Sequence, residues 1–132
     1  MTAGPRVDEI GAILAHIDAH PKEWGQDAFV RQTDCGTAFC VAGHAMIRAG
    51  YTLHHGIDFV DPGGEFVEDP WDEATAVLRL NDDQAWQLFQ ADNTRGDVQR
   101  AFEQIALDAA DQLAGLANER AIWIAERDGC GA

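Results

Sequence analysis

Apolar residues recur at helical spacing at Val7, Ile10, Ile13, Leu14 and Ile17, with Asp8, Glu9 and Asp18 on the other faces, which predicts a first helix over residues 7–19. Pro21 stops it, and His20, preceding a proline, is biased out of the helical region. Residues 22–34 read as a loop or short irregular helix whose Trp24 and Phe29 plug the core. From Asp34 to Gly50 small and apolar residues crowd most faces, the pattern of a helix buried all round, with Gly50 as its C-terminal cap. Ile57–Val60 and Glu65–Val67 flank Asp61-Pro62-Gly63-Gly64 and read as a hairpin near 57–67.

Asp69-Pro70 opens the next helix, with Asp72 and Glu73 in its first turn and Ala74, Val77, Leu78 and Leu80 along it. Asn81 and Gln84 form a capping box that starts a short helix carrying Ala85, Trp86, Leu88 and Phe89. Asn93-Thr94 turns the chain into a long helical stretch tracked by Val98, Phe102, Ile105, Ala109, Leu113, Leu116 and Trp123, with Gly115 as a weak point that would divide it and Gly129 as its end. The fold class this predicts is mainly α: a compact bundle of about five or six helices around a buried central helix, with one small β-hairpin. The whole chain, 1–132, reads as a single domain frayed at 1–6 and 129–132.

Composition narrows the function classes. With 23 acidic against 9 basic residues the formal charge is −14, which excludes a phosphate-tracking nucleic-acid binder and a protein that docks on anionic lipid. No apolar run approaches membrane-spanning length and the start has no signal-peptide core, so the expectation is a cytoplasmic protein. Three cysteines, Cys35, Cys40 and Cys130, make an odd count that is no disulfide framework and suits a reducing compartment. Lys22 is the only lysine among the nine basic residues, a bias typical of a GC-rich genome.

Two blocks carry a resemblance. His20-Pro21-Lys22-Glu23-Trp24-Gly25-Gln26 with Cys35-Gly36-Thr37-Ala38-Phe39-Cys40-Val41-Ala42-Gly43-His44-Ala45, and Leu78-Arg79-Leu80-Asn81-Asp82-Asp83-Gln84-Ala85-Trp86-Gln87-Leu88-Phe89, resemble a group of small proteins of actinobacteria, other bacteria and their phages, whose motif is Cys-Gly-Thr-x-x-Cys-x-Ala-Gly-[Trp/His]-Ala. The likeness covers roughly residues 16–110 and implies a phage or prophage origin, in a bacterial cytoplasm, and no particular reaction. Lys22 stands where the pattern often has Glu and His44 where it often has Trp, which marks position 44 as a packing position.

The candidate chemistry lies in Cys35, Cys40 and His44, with His16 and His20 as partners. Cys40 and His44 are four apart and on a helix would form half of a zinc site, completed by Cys35 and His20, although the spacing matches no standard zinc signature. Cys35 and Cys40, if both helical, are separated by about 7.5 Å along the axis, too far for a disulfide. A cysteine-dependent enzyme would use Cys35 at a helix start, with His16, His20, His54 or His55 as base; Asp34 beside it opposes thiolate formation. The plainer reading makes Cys40 a core filler and the Gly36-Thr37 pair a tight entry to a buried helix. On that reading there is no catalytic residue, cofactor or metal. His54 and His55, if in a strand, point to opposite faces.

The dominant feature is acidity over residues 58–83: Asp58, Asp61, Glu65, Glu68, Asp69, Asp72, Glu73, Asp82 and Asp83, nine acids against the single base Arg79. Part of it is helix capping and solvated surface. The functional expectation is a non-enzymatic phage or prophage accessory protein that binds a host or phage protein with a basic surface through these nine residues, in the manner of a DNA mimic. The zinc module, the cysteine enzyme and a homo-oligomer built on Trp123 stay open as alternatives.

Overall fold

The computed structural model describes residues 4–33 and 36–121, with side chains described up to residue 110. The apolar stripe of Ile10, Ile13, Leu14 and Ile17 is buried on α1 (Val7–Ala19), and the helix stops at His20, whose backbone leaves the helical region ahead of Pro21. Pro21–Glu23 then makes a single 3₁₀ turn. Gly25 donates its N–H to the Phe39 carbonyl at 3.0 Å, which brings the turn against the next hairpin.

That hairpin is the largest departure from the sequence pattern. β1 (Val30–Thr33) pairs antiparallel with β2 (Gly36–Phe39), Val30 opposite Phe39 and Thr33 opposite Gly36. The residues expected to open the central helix therefore form a strand. Gly36 has φ +114°, a left-handed conformation that no helix contains. The central helix α2 runs only from Val41 to Arg48, with Cys40 at its N-cap, and every residue from Val41 to Met46 is buried. Gly43 is where the hairpin lies on this helix: a Cβ there would collide with the carbonyl oxygen of Phe29.

The middle hairpin is also displaced. β4 (Asp58–Val60) pairs antiparallel with β3 (Thr52–His54), an upstream partner the sequence pattern did not single out. The expected second arm survives as one bridge, Val60 to Phe66, with backbone bonds from Val67 N–H to the Phe59 carbonyl at 2.9 Å and from Asp61 N–H to the Glu65 carbonyl at 2.8 Å. The Pro-Gly turn between them forms as expected, with Asp61 accepting the N–H of Glu65 at 3.0 Å. His54 and His55 do not straddle a strand: His55 has φ +55° in the turn, and the two rings meet edge to face at 4.0 Å.

α3 (Pro70–Val77) and α4 (Asp82–Phe89) start where the caps predict. Asp69 accepts the Asp72 N–H, and Asn81 and Gln84 exchange both bonds of a capping box. Ala85, Leu88 and Phe89 of α4 are buried, but Trp86 faces outward. α5 runs unbroken from Arg95 to Ala121, so Gly115 does not divide it. Trp123, Gly129 and Cys130 lie outside the described residues. The result is a helix-rich domain: α1, α3 and α4 contact the buried α2, α5 closes over α1 and α4, and two two-stranded sheets sit at the edges. No helix among the described residues is long and apolar enough to cross a membrane.

Candidate functional site

Two places concentrate polar chemistry. The first is the corner after α1. His16 and His20 are one helical turn apart, and the Pro21 turn brings Glu23 back under them. Glu23 Oε1 lies 2.9 Å from His16 Nε2 and Oε2 lies 3.6 Å from His20 Nδ1. The His16 and His20 rings are 4.5 Å apart, and the His44 ring is 5.6 Å from His16. The hydrogen bond with His16, ahead of the charges around it, holds the Glu23 carboxyl below its ordinary range. His44 lies within the core and meets the Glu23 backbone carbonyl through Nε2 at 2.8 Å, so Nε2 carries the proton. Burial pushes the His44 imidazole below its usual value, more strongly than that bond raises it.

The zinc grouping drawn from the sequence is redistributed. Cys40 sits at the N-cap of α2 rather than one turn inside a helix, and its Sγ accepts the Gly43 N–H at 3.4 Å. Burial pushes this thiol up to about 11, which keeps it protonated and unreactive at neutral pH. Cys35 and Asp34 lie outside the described residues. Among the described residues, the metal-ligating atoms that approach within 4.8 Å of one another belong to His16, His20 and Glu23, without Cys40 or His44. Glu23 escaped the sequence reading. Its signal was the doubled spacing, His16 to His20 by four and His20 to Glu23 by three across a proline.

Gln26 fixes this corner to the rest of the fold. It is buried, donates to the Leu88 carbonyl at 3.0 Å, and accepts from the Trp24 indole at 3.1 Å and the Val41 N–H at 3.3 Å. One carboxamide thus satisfies the start of α2, the end of α4 and a half-buried tryptophan.

The second place is the acidic stretch. Its nine carboxylates separate by position. Asp69, Asp72, Asp82 and Asp83 lie at the starts of α3 and α4, where helix N-termini favour negative charge. Asp72 is nevertheless raised above its ordinary value, first by the charge of Asp69, with Asp82 adding to it. Asp58, Asp61, Glu65 and Glu68 belong to β4 and its turn. Glu73 instead accepts the Tyr51 hydroxyl, and burial together with that carboxylate pushes Tyr51 up to about 12. None of the nine forms an ion pair among the described residues, nor does Arg79. Trp86, 64% exposed, stands one turn beyond Asp82 and Asp83, its ring 6.4 Å from that of Trp71. Beside it an open groove of about 670 Å³ runs between α4 and α5, lined by Gln87, Gln90, Asn93 and Gln104 with Asp97 and Arg100.

No protein family, curated protein or solved structure matches the chain.

Proposed function

We propose that this protein acts without catalysis, by binding a partner protein that carries a basic surface, and that the contact is the edge formed by the starts of α3 and α4. The observation that carries this reading is an exposed indole, Trp86, one turn beyond Asp82 and Asp83, two carboxylates that form no ion pair among the described residues. A large exposed aromatic flanked by carboxylates on one side and amide side chains on the other has the composition of an interface anchor with a polar rim. An arginine from the partner would stack on the ring and reach Asp82 or Asp83. Proteins that track DNA phosphates present such basic surfaces, so the partner class is a nucleic-acid-binding protein of the bacterial host or of a phage, its site occupied in the manner of a DNA mimic. The acidic groups of β4 and its turn extend the same field and steer the encounter.

The test is affinity capture from the natural host with the full chain, followed by mass spectrometry. Wild type recovers a basic protein that high salt or competing duplex DNA releases. Reversing Asp69, Asp72, Asp82 and Asp83 to Lys abolishes recovery, and Trp86→Ala weakens it by about 2 kcal/mol, roughly thirtyfold in Kd. Equal recovery by wild type and the charge-reversed chain removes the proposal.

A further inference from the structure

The corner after α1 supports a second inference, independent of the acidic edge. We propose that His16, His20 and Glu23 form a zinc-binding site. The donor set is two imidazoles and one carboxylate, a combination that suits zinc and other borderline divalent ions. The backbone already sets the spacing. His20 N–H bonds the His16 carbonyl at 2.8 Å and Glu23 N–H bonds the His20 carbonyl at 2.9 Å, two consecutive turns from which the three ligand atoms converge.

The distances are near those an ion asks for. The three ligand atoms lie within 4.8 Å of one another. Tetrahedral zinc with bonds of about 2.0–2.2 Å sets its ligand atoms about 3.4 Å apart. His16 and Glu23, now at 2.9 Å, open slightly, and the ion replaces the proton they share. His20 closes in from the exposed side. The three side chains are 36%, 52% and 46% exposed, so small rotations are unhindered and the ion reaches the site directly from solvent. His44 acts as a positioning residue: its bond to the Glu23 carbonyl holds the main chain of the third ligand. Three protein donors leave the fourth position of the ion to water or to an incoming ligand atom. The net charge of −14 favours any cation at the surface.

The experiment uses the untagged full chain, stripped with chelator and titrated with zinc chloride by calorimetry. Diethylpyrocarbonate modification is mapped in parallel on the wild type, with and without zinc. The expected result is saturable uptake of one equivalent, with protection of His16 and His20 while His54 and His55 react as before. His20→Ala and Glu23→Gln each weaken uptake about tenfold or more, whereas Cys35→Ser with Cys130→Ser leaves it unchanged. No saturable uptake, uptake indifferent to His20→Ala and Glu23→Gln, or no selective protection of His16 and His20 overturns the site. The protection pattern reads the folded wild type, so it decides the matter even if a variant fails to fold.

Discussion

α1 and the α3–α4 edge are both rich in acids, and the fold treats them in opposite ways. On α1, Glu9 is held by both nitrogens of the Arg48 guanidinium fork, and Asp18 is gripped by Arg95 from α5. At its end Glu23 meets two histidines. Each of these three carboxylates joins α1 to another piece of the chain, whereas Asp8 is exposed and forms no ion pair among the described residues. On the α3–α4 edge Asp69 accepts the Asp72 backbone N–H, and the charges of Asp69 and Asp82 bear on Asp72. The charge of the first region is structural. In the second, the charges of Asp69 and Asp82 raise Asp72, a repulsion that the cations of the proposed partner would relieve.

The comparison breaks first at its junction. Gln26 joins the α1 corner to α4, and Gln26→Ala strands the Val41 N–H and the Trp24 indole N–H and leaves the Leu88 carbonyl to the longer bond from Asn93 Nδ2 at 3.5 Å. A loss of about 3 kcal/mol is expected in denaturant unfolding, with no matching loss from Gln87→Ala on the exposed side of α4. A smaller effect tests the structural carboxylates. Glu9 is held below its ordinary 4.5 by its bond with Arg48, so its contribution is present above that value and fades as pH falls through the lowered one. Glu9→Gln costs about 1 kcal/mol at pH 7, and the gap to wild type closes in acid, read as melting temperature against pH.

The smallest effect has the opposite sign. Asp72 is raised above its ordinary 3.8, so its contribution is favourable below that value and is lost as pH rises through the raised one. Asp72→Asn melts slightly higher than wild type at pH 7, an advantage that shrinks with added salt and vanishes in acid. A fall in melting temperature instead would place Asp72 with the structural acids of α1.

What the sequence disclosed follows from how local each signal is. Asp69-Pro70 and Asn81-Asp82-Asp83-Gln84 act within four residues, and both helices begin where those signals put them. The stripe of α1 is equally self-contained. The stretch before Val41 misled because small apolar residues suit any buried backbone, and only the positive φ of Gly36 excludes a helix there. β1 exposes Arg31, Gln32 and Thr33, so it lacks the alternation that announces a strand. Trp86 shows that bulk is a poor guide beside period: Gln84, Ala85, Leu88 and Phe89 define the inner stripe of α4 and leave position 86 outside it. Cys40 and His44 share a spacing, but their polar atoms find different partners, the Gly43 N–H and the Glu23 carbonyl. The His16–Glu23 approach spans seven residues across Pro21 and was open to a reading of spacing, whereas the bonds of Gln26 to Val41 and Leu88 join distant segments that no window of neighbours contains.

The contact between Gly43 and the Phe29 carbonyl has a corollary. Where hairpin and helix touch backbone to backbone, there is no room for even a single methyl unless the backbone at Phe29 moves. Any replacement at position 43 forces the hairpin and the helix apart, so the pairing of that hairpin with that helix depends on a single residue.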